Sequence, residues 1–255
     1  MDFPPREEWH LKTGRIGRRV LVFDRVPSTN NLAASFAHDR DNDGLALLAL
    51  EQTAGRGQHG RTWTCQPGMG VLLSVLLFPD VALRRPVILA AWAANSVCET
   101  IRQVAGLDSD IKWPNDVLVS GRKVCGILIE QGRGTVVGIG LNVNQPAASL
   151  AEAALPNAAS LACFTGVQAD VLEVARTLLE QMDRQYQSLM LGRLIDLEAS
   201  WQQRTRLLGE PVMVETTGGN YLGQLTKLTF EEIAIADSAG HQRFQPEMVR
   251  HITHA

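Results

Sequence analysis

The sequence has few of the features that mark several common protein classes. Its four cysteines, Cys65, Cys98, Cys125 and Cys163, are scattered, with no CxxC pair and no histidines at zinc-binding spacing. We therefore expect reduced thiols, mostly in the core of a cytoplasmic protein. The N-terminus lacks the apolar segment of a signal peptide, and the longest apolar run, residues 70–78, is too short to span a bilayer.

Several nucleotide-binding and catalytic motifs are also missing. No GxxxxGK[ST] loop occurs, Gly138 and Gly140 form only a GxG, and no GxSxG elbow is present. Of the six histidines only His59 lies within a motif, so acyl transfer through an activated protein nucleophile is poorly supported. A net charge of −3 gives no reason to expect DNA binding. The roughly 17 residues before the first predicted strand are too few for a helix-turn-helix domain.

Hydrophobic periodicity predicts an α/β protein with a small β-rich C-terminal part. With 255 residues, 45% of them apolar, the chain can form one large domain or a medium domain and a small one. From Pro211 onward the residues alternate with period two, which indicates a small β-barrel or β-roll. We place the domains at 1–207 and 208–255. Strands are predicted at 18–26, 45–52, 70–78, 109–113, 116–120, 123–130 and 135–143, and helices at 31–38, 86–104, 171–190 and 193–207.

Residues 55–61, here called the Gly/Arg loop, lie between two apolar strands. Three glycines allow backbone N–H groups to approach a ligand closely, and Arg56 and Arg61 carry permanent charges suited to phosphate or carboxylate. Trp63, which follows the loop, offers a rigid apolar wall. The loop taken alone is as compatible with a solvated surface hairpin as with an anion site.

Three further segments carry polar groups at strand ends. The first, residues 112–116, precedes Lys123, one of only four lysines among the 24 basic residues. It is either a plain turn and hairpin or a site in which Lys123 presents a positive charge and Asn115 or Asp116 binds a metal or a ribose. The other two segments can also be explained without a ligand. Residues 138–144 can be a strand that ends in a turn, and residues 28–30 can be a helix N-cap.

Taken together, these segments resemble the biotin–protein ligases. The runs STN, EQTAGRGxxGRxW, KWPND, GRKxxGILIE and GxGLNVN occur in the family's order and spacing over about residues 20–145. The resemblance implies a class II synthetase-like catalytic domain, with a mixed sheet flanked by helices, and an SH3-like C-terminal domain. It also implies a two-step reaction, in which ATP activates biotin as biotinyl-5′-AMP and a carrier-protein lysine then accepts the biotin.

The resemblance also assigns roles by position. Lys123, Arg56 and Arg61 would be catalytic, and Asp116 would bind Mg²⁺. The biotin-binding residues would be Ser28, Thr29, Asn30, Gln52, Gly55, Arg56, Gly57, Gln58, Lys123 and Gly126. The nucleotide-binding residues would be Arg56, Arg61, Trp63, Lys112, Asn115 and Asn142.

The implied partner is a biotin carboxyl carrier protein of the acetyl-CoA or pyruvate carboxylase type. The ligase itself could also form a homodimer, a point that the sequence leaves open. Two departures from the family pattern stand out. Members that repress transcription have an N-terminal DNA-binding domain, which we do not expect here, and many members have an arginine where this chain has Gln58. We hypothesise that Arg56, Arg61 and Lys123 compensate for that missing charge.

Two rival functions remain at this stage. A lipoate–protein ligase or octanoyltransferase would have a related fold, although the sequences GRGxxGR and KWPND and the SH3-like C-terminal part favour biotin. A non-catalytic module that senses biotin or a nucleotide is disfavoured because the set of Arg56, Arg61, Lys123 and Asn115 is intact.

Overall fold

A computed structural model of the protein describes residues 3–153, 155–238 and 240–255. Within these ranges the chain forms two β-sheets and six α-helices. The larger sheet contains β1 (Glu7–Trp9), β2 (Val20–Val26), β3 (Ala46–Gln52), β4 (Gly70–Leu77), β5 (Asp110–Lys112), β6 (Asp116–Val119), β7 (Arg122–Gln131) and β8 (Thr135–Asn142). The smaller sheet contains β9 (Pro211–Thr216), β10 (Gly219–Leu228), β11 (Ile233–Asp237), β12 (Gly240–Phe244) and β13 (Val249–His254). The helices are α1 (Thr29–Ser35), α2 (Pro86–Ala105), α3 (Ala147–Glu152), α4 (Ala162–Thr165), α5 (Val171–Met190) and α6 (Leu194–Thr205).

The larger sheet is mixed and is buried on both faces. Its strand order is β1-β2-β3-β4-β8-β7-β6-β5, with β2 and β3 parallel and the other neighbours antiparallel. Successive residues of a strand point to opposite faces, so a sheet covered on both sides needs near-continuous apolar strands such as β4. Helix α1 covers one face, and α2 and α5 cover the other. The predicted α/β sheet flanked by helices is confirmed.

Helix boundaries follow local capping chemistry. Helix α2 begins at Pro86 and ends before Gly106, whose φ of 65° is the left-handed conformation that terminates helices. Asp170 caps α5 by accepting hydrogen bonds from the backbone N–H groups of Leu172 and Glu173, at 2.8 and 3.3 Å. None of the described helices is long and apolar enough to cross a membrane.

Three local predictions need correction. Helix α1 was expected at 31–38 but begins at Thr29, because Ser28 is extended and takes the N-cap position. Helix α6 ends at Thr205 rather than at 207, because Arg206 adopts a left-handed conformation with a φ of 53°. Strand β1 was not predicted at all; it is only three residues long and pairs with β2 at the edge of the sheet.

The smaller sheet confirms the predicted C-terminal β-structure. Its order is β12-β11-β10-β9-β13, all antiparallel, and no pairing among the described residues closes it into a barrel. It packs directly on the larger unit: Trp201 of α6 stacks on Phe230 with ring centroids 5.1 Å apart. Trp113 donates its indole N–H to the carbonyl of Val249 at 3.2 Å. A single hydrophobic core therefore runs through both sheets.

Candidate functional site

Three glycines form a flat floor on the α1 side of the larger sheet. Gly126 of β7 pairs with Gly140 of β8, and Gly138 lies two residues before Gly140 in β8, on the same face. A Cβ at Gly138 would lie 2.1 Å from Oδ1 of Asn30, and a Cβ at Gly140 would lie 2.3 Å from Cε2 of Trp63. Side chains above the floor can approach the backbone this closely only because Cβ atoms are absent.

A cavity of ≈ 280 Å³ lies over this floor. Every residue that the sequence predicts for the site, except Gly55, lines this cavity. Gly55, the first residue of the Gly/Arg loop, is buried, and a Cβ there would lie 2.4 Å from the carbonyl oxygen of Trp63. The cavity is lined by Ser28, Thr29, Asn30, Gln52, Arg56, Gly57, Gln58, Arg61, Trp63, Lys112, Asn115, Asp116, Lys123, Gly126 and Asn142, together with His59, Leu155, Ala158 and His251.

The Gly/Arg loop is a tight hairpin that covers the cavity. Arg56 and Thr62 form an isolated antiparallel bridge, and Gly57 donates its N–H to the carbonyl of Arg61 at 2.7 Å. The loop's turn includes His59 with a φ of 55°. Hydrogen bonding across the hairpin thus holds Arg56 at the cavity wall.

A buried polar network occupies one end of the cavity. Gln52 accepts hydrogen bonds at its Oε1 from the backbone N–H and the hydroxyl of Thr29, at 2.7 and 2.9 Å. The Ser74 hydroxyl lies 2.6 Å from Oδ1 of Asn30 and 2.7 Å from the Thr29 hydroxyl. Ser74 is wholly buried and is the one polar side chain of β4. Buried polar groups of this kind are held in fixed orientations, so this end of the cavity can recognise a compact polar ligand group.

Positive charge lies further along the floor. The ammonium group of Lys123 is 2.6 Å from Oδ1 of Asp116 and 5.8 Å from the centre of the Trp63 ring. Neighbouring Cys125 is completely buried, and this burial raises the pKa of its thiol well above the usual value, so it stays neutral. Lys123 is the basic side chain that the start of β7 presents to the cavity.

The remaining predicted nucleotide-binding residues fall into two groups. Asn115 and Asn142 have their amides engaged by the protein: Asn115 donates to the carbonyl of Ile127, and Asn142 donates to that of Ala159 at 3.1 Å. Arg61 and Lys112, by contrast, make no side-chain hydrogen bond or ion pair within the described ranges. Two cations at the cavity are thus available to an anionic ligand.

Sequence reasoning missed three residues of the site. Glu130, at the end of β7, accepts hydrogen bonds at its Oε2 from the Asn30 amide at 2.8 Å and from the Arg56 guanidinium at 2.6 Å. Ser74 lies inside the apolar strand predicted at 70–78, where a single polar residue in a buried run is itself a signal. His251 reaches the cavity from β13 of the smaller sheet, a contact that no local pattern indicates.

The cavity does not contain a preformed metal cage. Among the described residues, no three His, Cys, Asp or Glu side chains are grouped closely enough to hold a metal ion. Of the acidic residues that the structure describes, Asp116 lines the cavity, and one of its oxygens is paired with Lys123. Such a single carboxylate suits Mg²⁺ that arrives with phosphates, because Mg²⁺ usually takes only one or two protein oxygens.

The fold and the site together define an α/β enzyme domain. Its cavity has a polar end that can recognise a compact ligand group and a cationic end that can bind an anion. The sequence model of the Biotin/lipoate A/B protein ligase family matches residues 22–144. The chain is 34% identical to the biotin–[acetyl-CoA-carboxylase] ligase of Mycobacterium tuberculosis, over 85% of this chain and 84% of the relative. It is 31% identical to the bifunctional ligase/repressor BirA of Bacillus subtilis, over 89% of this chain and 72% of the relative.

Solved structures agree with these sequence relatives. The biotin protein ligase of Aquifex aeolicus in complex with biotin and ATP is similar with a TM-score of 0.80 and 27% identity, over 92% of this chain and 99% of that one. The chain therefore belongs to the biotin/lipoate A/B protein ligase family, and the Mycobacterium tuberculosis and Aquifex aeolicus relatives are named biotin ligases.

Proposed function

We propose that the protein is an ATP-dependent ligase that activates biotin as biotinyl-5′-AMP and transfers it to a lysine of a biotin carboxyl carrier protein. The observation that carries the proposal is the layout of the cavity floor. Asn30 lies over Gly138 and Trp63 over Gly140, and Asn142 follows on the same strand. Four residues of strand span about 13 Å, so an elongated ligand lying along β8 reaches both the polar and the cationic end.

The polar end suits the ureido group of biotin. That group has one carbonyl acceptor and two N–H donors, and residues 28–30 at the start of α1 and Gln52 offer hydroxyl and amide groups of both kinds. Because Asn30 lies directly against Gly138, these groups form a compact set of donors and acceptors that matches the ureido head of biotin. The valeryl chain would then extend toward Lys123.

The cationic end suits adenylate formation. In the first step a carboxylate oxygen of biotin attacks the α-phosphorus of ATP, the mixed anhydride forms, and pyrophosphate leaves. Lys123, Arg56 and Arg61 would neutralise the reacting oxygens, and Trp63 would lie beside the adenine. Such charge stabilisation and positioning, rather than a protein nucleophile, is the main requirement of phosphoryl chemistry.

In the second step the carrier lysine attacks the acyl carbon of the anhydride as the free amine. The amide bond forms, AMP leaves with the bonding electron pair, and the proton of the attacking amine passes to solvent. Lys123 would hold the carbonyl oxygen as negative charge develops on it. Mg²⁺ would be held by Asp116 and the ATP phosphates, where it supplies charge neutralisation.

The carrier is proposed to belong to an acetyl-CoA or pyruvate carboxylase, and the reaction to take place in the cytoplasm. The name of the Mycobacterium tuberculosis relative supports an acetyl-CoA carboxylase carrier. A carrier domain could add its strand to an exposed sheet edge. A homodimer is the assembly to test by light scattering.

Biotin-dependent exchange between ATP and labelled pyrophosphate tests the first step. A purified carrier domain is then added, and streptavidin capture tests the second. Exchange that requires biotin, followed by capture of the carrier, is the expected result. Exchange with lipoate or octanoate but not with biotin would assign the chain to the lipoate branch of the family. Biotin binding without any exchange would make it a sensing module.

A further inference from the structure

Glu130 lies outside the set of groups expected to touch biotin or ATP, yet it joins two of them. Its Oε2 accepts from Asn30 Nδ2 at 2.8 Å and from Arg56 Nη2 at 2.6 Å. Asn30 belongs to α1 at the polar end of the cavity, and Arg56 belongs to the Gly/Arg loop above it. One carboxylate oxygen therefore links two elements that are distant in sequence.

The carboxylate also fixes which way the Asn30 amide faces. A carboxylate can only accept hydrogen bonds, so the neighbour at 2.8 Å must be the Asn30 NH₂ group. The amide oxygen then faces the Ser74 hydroxyl, which lies 2.6 Å away and donates to it. With its oxygen and one N–H engaged, Asn30 has its second N–H left for a ligand acceptor.

We propose that Glu130 is a positioning residue that presents the Asn30 amide as a donor to the ureido carbonyl of biotin and ties the Gly/Arg loop to that amide through Arg56. This inference rests on the proposed function, because it names biotin as the ligand. Glu130 does not line the cavity, and its side chain is 34% exposed, so it acts through Asn30 and Arg56.

The Asn30 part is tested by measuring ligand affinity calorimetrically, without ATP, for wild type and Glu130→Ala. We expect biotin to bind about tenfold more weakly to the variant, as for loss of one oriented hydrogen bond. Desthiobiotin keeps the ureido carbonyl, so its affinity should fall by the same factor as that of biotin. In 2-thiobiotin a weakly accepting sulfur replaces the carbonyl oxygen, so the affinity for this ligand should fall by less than about threefold.

The Arg56 part is tested with Glu130→Gln, which keeps an acceptor oxygen for Asn30 but removes the charge that holds Arg56. Biotin affinity should remain within about threefold of wild type, since the acceptor is retained. Trypsin cleavage within the Gly/Arg loop, which contains Arg56 and Arg61, should become several-fold faster because the loop is no longer tied down.

Glu99→Ala is the matched control. Glu99 is a half-buried carboxylate, 26% exposed, that pairs with Arg204 at 2.5 Å away from the cavity. Its removal should change neither the ligand affinities nor the loop cleavage. If Glu130→Ala fails to fold, Glu130→Asp, which shortens the side chain, is measured with the same three ligands.

Three results would overturn the inference: an unchanged biotin affinity in Glu130→Ala, an equal loss for biotin and 2-thiobiotin, or an unchanged rate of loop cleavage in Glu130→Gln. Failure of the proposed function would be recognised separately, because wild type would then either bind none of the three ligands or bind biotin without supporting ATP–pyrophosphate exchange.

Discussion

The ammonium nitrogen of Lys123 lies 2.6 Å from Oδ1 of Asp116, across the antiparallel pair formed by β6 and β7. The carboxylate holds the lysine at the cavity wall, and both side chains are only partly exposed, at 35% and 23%. A charge fixed in this way is oriented before any ligand arrives. That preorganisation is what makes electrostatic stabilisation effective in an active site.

Replacing Lys123 by alanine should lower the rate of biotin-dependent ATP–pyrophosphate exchange by roughly 10²–10³-fold, the usual loss for one preorganised charge at a reacting oxygen. Lys227→Ala is the control, because Lys227 also pairs with a carboxylate, Glu232 at 3.1 Å, but belongs to the smaller sheet. Equal rates for the Lys123 variant and wild type would remove this lysine from the mechanism.

Asp116→Asn separates two roles of one carboxylate. Because the variant no longer holds Lys123 by charge, biotin binding measured without ATP or metal should weaken by several-fold. If Asp116 also binds Mg²⁺, the Mg²⁺ concentration needed for half-maximal exchange should rise as well. Unchanged biotin binding would show that Asp116 does not position Lys123, and an unchanged Mg²⁺ requirement would argue against a metal role.

Gly140→Ala should destabilise the protein by about 1–3 kcal/mol, the usual cost of overpacking. The new methyl group would lie 2.3 Å from the rigid indole of Trp63, which must move away from the floor. Urea unfolding measures the effect. In a Trp63→Ala background the same substitution should cost much less, and a cost that stays the same would show that the indole is not the obstacle.

Gln58→Arg should slow the dissociation of biotinyl-5′-AMP by about tenfold, because it adds a charge-assisted hydrogen bond to the phosphate. Gln58 lines the cavity without a charge of its own. Gln66→Arg adds the same charge nearby but outside the cavity lining, and should leave the dissociation rate unchanged. If release of the adenylate from Gln58→Arg is no slower than from wild type, the charge at this position is unimportant.

Cys65 should make the folded state less stable in alkali. Burial raises the pKa of its thiol from the ordinary 9.0 to about 12, so the folded state disfavours the thiolate that the unfolded chain forms freely. The stability that depends on the neutral thiol is complete below pH 9.0 and is lost as the pH rises toward about 12. Cys65→Ala should therefore flatten the fall in unfolding free energy above pH 9.0 relative to wild type. An unchanged slope in Cys65→Ala would show that this thiol does not cause the loss of stability.

The sequence predicted the parts of the fold that depend on local rules. Helix α2 could be read from its proline and glycine ends, and β4 from its apolar run, because capping and burial act within a few residues. The predicted site residues also came together, since all but Gly55 line one cavity. Their individual roles toward biotin, ATP and Mg²⁺ stay predictions, as does the division of the chain at residue 207.

What the sequence did not reveal depends on contacts between distant segments. Glu130 meets Asn30 across 100 positions of sequence and Arg56 across 74, and its importance exists only once the sheet has formed. His251 is similar, because it reaches the cavity only through the packing of the smaller sheet on the larger one. Local periodicity contains no information about such pairings.

The shared core of the two sheets bears on how the chain can be divided. Trp113 is hydrogen-bonded to the carbonyl of Val249 and is packed against Trp201, which in turn stacks on Phe230. A fragment cut near residue 207 would expose these aromatic rings to water and would remove His251 from the cavity wall. A split-enzyme reporter built on this protein should therefore be divided at an exposed turn within the larger or the smaller sheet. A division at the boundary between the two sheets would disrupt their shared core.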